Sequence, residues 1–141
     1  MVIFERRGAG GRSGAPWGFS LFELLVALAV MALLMTLAYP TYVAYKVRGN
    51  RAATQAMLVD LANRQQLYLL DARMYSATLA ELGAAPVPSI VSDYYVVPDP
   101  IVDNEAAPPT FIVSASARPG TVQARDGDLS INSAGVRAGH W

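Results

Sequence analysis

An uninterrupted apolar run occupies the N-terminal part of the chain. From Phe19 to Tyr39 every residue is apolar except Ser20, Glu23 and Thr36. As a helix, which rises about 1.5 Å per residue, this run covers about 30 Å, the thickness of the hydrocarbon core of a bilayer. The run therefore predicts a membrane-spanning helix whose only charge is Glu23.

Helical periodicity continues beyond Pro40 to about Arg73. A proline inside a helix removes one hydrogen bond and clashes with the preceding turn, so we expect a kink or local melting near Tyr39. Past it, seven residues share one helix face: Met57, Leu58, Leu61, Ala62, Tyr68, Leu69 and Ala72. Polar residues lie opposite, Gln65 interrupts the apolar stripe, and Leu67 and Leu70 lie off it. This face needs a packing partner.

The remaining sequence predicts a small antiparallel sheet. Residues 74–93 are interpreted as a connecting loop with a short helical turn that ends at Gly83. The predicted strands follow: Tyr94–Val97, Thr110–Ala117 and Asp128–Asn132. Their short connections favour antiparallel pairing, since parallel strands need longer crossovers. The fold class is therefore α+β, a long helix packed on an antiparallel sheet of three to four strands.

Residues 1–18 are typical of a targeting segment, because they combine arginines with glycines and contain no apolar period. The small residue that could serve as a cleavage site, Gly18, precedes the apolar run, so cleavage there leaves the span on the mature protein. The arginines before the span predict a cytoplasmic N-terminus and a head outside. The expected segments are a removed leader, 1–18, a membrane and polymerisation helix, 19–40, and a head, 41–141.

Composition excludes several kinds of site. The chain has no cysteine, so it has no disulfide, thiolate metal site or thiol nucleophile. Lysine and arginine number 11, as do aspartate and glutamate, but beyond Arg73 three arginines face seven acids. An acidic head disfavours nucleic-acid binding, including DNA uptake. No combination of side chains predicts catalysis or a cofactor, so we expect no enzyme.

Glu23 is a functional candidate, because an unpaired carboxylate in a membrane span costs a few kcal/mol. A snorkelling acid at the membrane edge is the alternative. If Gly18 is cleaved, Phe19 carries a new positive amine at similar depth. Pairing between neighbouring subunits would relieve both desolvation costs, so Glu23 is predicted to dock on the Phe19 amine of a neighbour.

A leader ending in Gly18, then Phe19, Glu23, a continuous apolar helix and Pro40 together resemble the class III signal of type IV pilins. The resemblance implies cleavage after Gly18 and N-methylation of Phe19 by a prepilin peptidase, and no cofactor. It also implies assembly with other pilin subunits on an inner-membrane platform. The protein would lie in the inner membrane first and in a pilus or periplasmic filament later. Twitching motility and adhesion are the functions that such pili imply.

Within that family the chain is most similar to PilE-type minor pilins, by the loop Tyr75–Leu82, the pair Tyr94-Tyr95 and the ending from Gly127 to Trp141. Such proteins usually close the C-terminal loop with a cystine. Asp126 and His140 stand near the places of those cysteines, so another interaction must supply that stabilisation.

Several alternatives remain open. A type II secretion pseudopilin is the second interpretation, and a membrane-anchored enzyme or binding module is the third. Asp126 and Asp128 could form half of a calcium loop, although a hairpin turn explains them as well. His140 is expected at the surface without a metal or catalytic role.

Overall fold

The computed structural model describes residues 18–141. Apart from Gly18, the predicted leader lies outside the described residues. The described chain divides between Ala38 and Tyr39, and the unit that begins at Tyr39 and ends at Trp141 holds the packed head.

One long helix, α1, runs from Leu21 to Ala72 and includes Pro40. Residues up to Ala38 are exposed, and none of the apolar window in α1 is buried. Within the described residues, α1 is the one helix long and apolar enough to cross a membrane. The predicted kink at Pro40 remains a prediction.

The head part of α1 buries the predicted apolar face, and this face also includes one polar residue that was not expected there. Leu58 and Leu61 are fully buried, and so is Gln65, which the periodicity had marked as an interruption. The Gln65 amide donates to the Ser76 carbonyl oxygen at 2.7 Å and accepts from the Ser76 N–H at 2.9 Å. A buried amide is tolerated when its polar atoms are paired, so Gln65 belongs to the core face.

The predicted connecting loop is part of the core. Residues 79–83 form the expected turn, and Gly83 ends it with a positive φ of 65°, which costs glycine little. A four-residue helix that was not predicted, α2, follows at Ser89–Ser92. The Tyr75 ring meets Phe111 edge-on, with centroids 4.8 Å apart. The loop thereby closes one side of the core.

The sheet is antiparallel throughout, as predicted, and has five strands: β1 Tyr95–Val96, β2 Ile101–Asp103, β3 Thr110–Ala117, β4 Leu129–Asn132 and β5 Arg137–Gly139. The sequence prediction missed β2 and β5, which are three residues long and lack apolar alternation. Both β1 and β2 pair with β3, and their register differs by one residue. Pro98 and Pro100 lie between them, and because proline donates no N–H they interrupt the ladder.

Alternation on β3 is confirmed. Phe111, Val113 and Ala115 are buried against the head part of α1, while the residues between them face outward. Leu129 and Ile131 of β4 continue the same inner face. Fully burying side chains of this size stabilises the fold by about 1.5–3 kcal/mol each. The head part of α1 and the sheet therefore stabilise each other through a shared apolar core.

Candidate functional site

Three predicted site residues lie in one short exposed segment. Gly18 and Phe19 precede α1, and the Phe19 side chain is 76% exposed. Ser20 begins the helix as its cap, since its hydroxyl oxygen accepts the Phe22 N–H at 3.2 Å. The sequence analysis missed this role, although a serine followed three residues later by a glutamate is a recognisable capping pattern.

Glu23 lies in the first turn of α1. A carboxylate at this position interacts favourably with the partial positive charge of the helix N-terminus, by about 0.3–1 kcal/mol when exposed. Its side chain is exposed, and no ion pair among residues 18–141 engages it. The carboxylate is thus positioned by the helix and remains open to a partner from outside.

The apolar part of α1 presents large side chains on every side. Their exposed fractions run from 43% at Val26 to 85% at Leu21. A helix that is hydrophobic all round is stable only inside a membrane or inside a larger assembly. This surface and Glu23 together form the first candidate site.

A second group of functional side chains lies in the head, around Asp126. Its carboxylate is 3% exposed and forms a two-pronged ion pair with Arg51 of α1, in which Arg51 Nε donates to Oδ2 at 2.8 Å and Nη2 donates to Oδ1. The Tyr95 hydroxyl donates to Oδ2 at 2.6 Å, and the Gln123 amide donates to the same oxygen. Asp126 therefore joins α1, β1 and the segment before β4.

Gln123 extends this network along the helix. Its amide nitrogen also donates to the Val47 carbonyl at 3.2 Å, and its oxygen accepts from the Asn50 amide at 3.3 Å. Thr54, the next buried polar residue of α1, donates to the Asn50 carbonyl at 2.9 Å. No buried side-chain nitrogen or oxygen in the described part of the chain lacks a partner. A fully paired network of this kind is rigid and specifies one packing arrangement.

Burial raises the pKa of the Tyr95 hydroxyl above its ordinary value of 10.0, because the charged form would lose its hydration. The hydrogen bond from Gln123 and the positive charge of Arg51 lower this pKa, but by less. The net direction is upward. The Tyr95 hydroxyl is therefore a permanent hydrogen-bond donor to Asp126 at neutral pH.

The chain end is fixed beside this network. His140 is 66% exposed, as expected, and its Nδ1 lies 3.8 Å from Oδ1 of Asp126. Its backbone carbonyl accepts from the Gln55 amide at 3.0 Å. The Trp141 indole donates to the Ala138 carbonyl at 2.9 Å. At Gly139 (φ 93°) a Cβ would lie 1.9 Å from the Asp128 carbonyl oxygen, so only glycine lets β5 approach this closely.

The contacts of Asp126 bear on the calcium alternative. Both of its oxygens are engaged by Arg51, and Asp128 accepts the Ala117 N–H at 3.1 Å. Among residues 18–141 no group of three histidine, aspartate or glutamate side chains could hold a metal ion. This arrangement favours the turn interpretation of Asp126 and Asp128.

Comparison with known proteins bears on the first candidate site. The family described as "Prokaryotic N-terminal methylation motif" matches residues 18–39, the segment from Gly18 to the end of the apolar run. No solved structure matches the chain significantly.

Two relatives are named as pilus components rather than enzymes, in agreement with the expectation that the chain is not an enzyme. The "Type IV wide pilus major component PilA4" of Thermus thermophilus is 33% identical over 53% of this chain and 60% of its own length. The "Type IV major pilin protein PilA" of Myxococcus xanthus is 28% identical over 49% of this chain and 31% of its own length. In the methylation motif, in these relatives and in the long helix packed on an antiparallel sheet, the chain is similar to type IV pilins, and it spans less than two thirds of the length of either relative.

Proposed function

We propose that the chain is a structural pilin subunit that is cut after Gly18, N-methylated on Phe19 and assembled through α1 into a type IV pilus. The single observation that carries this proposal is the exposed apolar surface of α1 up to Ala38, which continues in sequence into a head with a packed core. A bilayer covers such a surface before assembly, and the helices of neighbouring subunits cover it afterwards. One segment therefore serves as membrane anchor and as filament core in turn.

Glu23 supplies the register of assembly. Cleavage after Gly18 creates a positive amine on Phe19, and Glu23 is the only charge in the run that follows. In an apolar filament core, leaving one of the two charges unpaired costs several kcal/mol, whereas pairing offsets much of that cost. Subunits are therefore most stable when the Glu23 carboxylate of one meets the Phe19 amine of the next.

The partners and location follow from this cycle. Before assembly the subunit spans the inner membrane once, with its N-terminus in the cytoplasm, where a prepilin peptidase cuts and methylates it. An assembly platform in the inner membrane then extracts subunits into a filament. The C-terminal pattern favours a minor subunit, whereas the printed names of the two relatives favour a major one. Quantitative mass spectrometry of sheared filaments separates these roles, because a major subunit dominates the mass.

A pseudopilin of a type II secretion system is the second candidate, since it would use the same N-terminal segment. Deletion of the gene separates the two functions. A pilus subunit predicts fewer pili and reduced twitching with normal secretion of enzymes, and loss of secreted enzymes with intact pili would overturn the proposal.

Substitution of Glu23 tests the assembly mechanism. Glu23→Leu removes the only charge of the apolar run and should abolish or strongly reduce filaments, while the protein still inserts in the membrane and loses its leader. Glu105→Leu, at an exposed acid of the head, is the matched control and should assemble normally. Filaments are counted by electron microscopy of sheared fractions. Normal filament numbers with Glu23→Leu would contradict the mechanism.

A further inference from the structure

Exposed bases gather at the end of the head where the chain enters it from the apolar run. Lys46 and Arg48 are exposed on α1, seven and nine residues after Tyr39. The loop between β3 and β4 adds Arg118 and Arg125, which are also exposed. No ion pair within residues 18–141 engages any of these four side chains. They form what we call the basic end of the head.

Contacts within the head place the loop beside α1 at this level. Gln123 of the loop donates to the Val47 carbonyl, between the two α1 bases. The Lys46 ammonium lies 5.3 Å from the centroid of the Tyr94 ring, and the backbone N–H of Arg118 donates to the Tyr94 carbonyl at 2.8 Å. The Arg118 guanidinium donates to the Ser92 carbonyl at 2.9 Å and 3.1 Å and remains exposed. The side chain of Lys46 and the backbone of Arg118 therefore both contact Tyr94.

The opposite end of the head carries the reverse charge. The Asn104 amide oxygen accepts from the Tyr75 N–H at 2.8 Å, and its nitrogen donates to the Tyr75 carbonyl at 3.0 Å, so the β2–β3 loop lies where α1 ends. Asp103 and Glu105 flank Asn104 there, and together with Asp71 they outnumber Arg73, which follows the end of α1. At the basic end, two exposed acids, Asp93 and Asp128, face the four bases. The head is thus polarised along α1, positive at the end nearer the apolar run.

Exposed tyrosines join the apolar run to the basic end. Tyr39, Tyr42 and Tyr45 are 70%, 65% and 78% exposed. Tyrosine is enriched where the hydrocarbon core meets the headgroups, because its ring is apolar and its hydroxyl is polar. The headgroup layer is about 5–8 Å thick on each side, and Tyr42 and Lys46 follow Tyr39 by about 5 and 10 Å along the helix. A flexible lysine side chain can reach back over the remaining few ångströms.

Resting on the proposed membrane anchorage of the unassembled subunit, we infer that the basic end of the head, with Tyr42 and Tyr45, is a binding surface for anionic phospholipid headgroups of the outer leaflet of the inner membrane. The bilayer is the binding partner because α1 is expected to anchor the head at the membrane surface. The positive charge of the basic end also complements the negative charge of the headgroups. The contact with Tyr94 raises the pKa of Lys46 above its ordinary 10.5, so this side chain stays charged. The surface would hold the head against the membrane until assembly lifts it away.

The absence of cysteine from the sequence allows a direct test on the full chain. Ala124→Cys places one thiol on the exposed loop between Arg118 and Arg125 for a fluorophore. The labelled protein is reconstituted in vesicles of phosphatidylcholine, alone or with phosphatidylglycerol, together with a lipid whose headgroup carries a quencher. We expect stronger quenching with phosphatidylglycerol, and a decrease of that excess as salt rises.

Substitution of basic residues tests which of them bind the anionic lipid. Each base near an anionic membrane contributes about a fivefold factor in binding, so Lys46→Gln/Arg48→Gln should lower the ratio of docked to undocked heads on the order of twentyfold. Arg73→Gln/Arg137→Gln removes two exposed bases elsewhere on the head and should leave quenching unchanged. Near-ultraviolet circular dichroism confirms that both variants remain folded.

The outcomes are distinct. Equal quenching in both lipid mixtures, or full quenching in the Lys46/Arg48 variant, would overturn the inference. If that variant loses filaments while its lipid quenching is unchanged, the basic end instead contacts a second copy of the chain, and the lipid proposal fails. Resistance of the unlabelled protein to carbonate extraction tests membrane anchorage separately, so failure of the proposed function is recognised independently.

Discussion

His140 Nδ1 lies 3.8 Å from Oδ1 of Asp126, although the two residues belong to different segments of the C-terminal region. The resemblance to PilE-type minor pilins in the sequence implies a cystine near these two positions. Here Arg51, Tyr95 and Gln123 hold Asp126 in the core, and the Gln55 amide holds the backbone of His140 on α1. A polar network therefore holds the C-terminal region of the chain on α1.

The approach of the Asp126 and His140 side chains predicts that cysteines at these two positions can form a disulfide. Asp126→Cys/His140→Cys should form an intramolecular disulfide on oxidation, and the oxidised form should be more stable than the reduced form by roughly 2–4 kcal/mol. Mass spectrometry detects the bond, and unfolding in denaturant with and without reductant measures the difference. Glu105→Cys/His140→Cys pairs His140 with the other end of the head and should form no internal bond. Absence of the bond in the first variant would contradict the placement of the chain end.

The ion pair between Arg51 and Asp126 is expected to contribute strongly to the stability of the head. Asp126→Asn leaves the Arg51 guanidinium without its counter-charge, and since Arg51 is part-exposed we expect a loss of roughly 2–3 kcal/mol rather than the larger cost of a fully buried charge. Arg51→Leu leaves Asp126, which is more deeply buried, unpaired and should cost at least as much.

A double-mutant cycle isolates this pair. Arg51→Leu/Asp126→Asn should be less destabilised than the sum of the two single variants, because neither charge is then left unpaired. Denaturant unfolding of the full chain in micelles, followed by near-ultraviolet circular dichroism, gives the free energies. Strict additivity would show that the ion pair does not couple the two residues.

Gln65 is predicted to be a structural core residue. Gln65→Leu keeps the volume approximately but leaves the buried N–H and carbonyl of Ser76 without partners, at about 1–3 kcal/mol for each group. We expect a loss of roughly 2–4 kcal/mol in the unfolding free energy. Gln66→Leu, at the exposed neighbouring position, should change stability by less than about 0.5 kcal/mol. Equal effects of the two substitutions would refute the role of Gln65.

Tyr95 gives the head a stability that declines in alkali. Burial raises the pKa of its hydroxyl in the folded state, so its contribution is fully present below the unfolded value of about 10 and is lost as pH rises through the folded value. In an absorbance titration of tyrosinate, Tyr95→Phe should remove the last group to ionise before unfolding. If Tyr95→Phe leaves the late step in place, Tyr95 is not the buried donor to Asp126.

Periodicity predicted the parts of the fold that depend on local pattern. The apolar face around Leu58 and Leu61, the strand Thr110–Ala117 and the turn ending at Gly83 were all readable, because each repeats an element's own spacing or needs a glycine. Asp60 and Arg64, which stand four residues apart on α1, form an ion pair at 2.7 Å. Strands β2 and β5 were missed because three residues carry too little alternation.

The network around Asp126 could not be predicted for a different reason. Arg51 and Asp126 lie 75 residues apart in sequence, and nothing in either neighbourhood specifies the other. The resemblance to PilE-type minor pilins implied only that another interaction takes the place of a cystine near Asp126 and His140. The burial of Gln65 could not be predicted from the sequence either. Its hydrogen-bond partner is the backbone of Ser76, and backbone groups leave no pattern in the sequence.

The central claim is that Gly18 is the cleavage site and that Phe19 becomes the methylated N-terminus of an assembled subunit. Mass spectrometry of the N-terminal peptide of this protein from sheared, purified filaments tests it most directly. The account predicts a peptide that begins at Phe19 and carries one additional methyl group on its amine. A peptide that retains residues before Phe19, or that begins beyond Glu23, would contradict it.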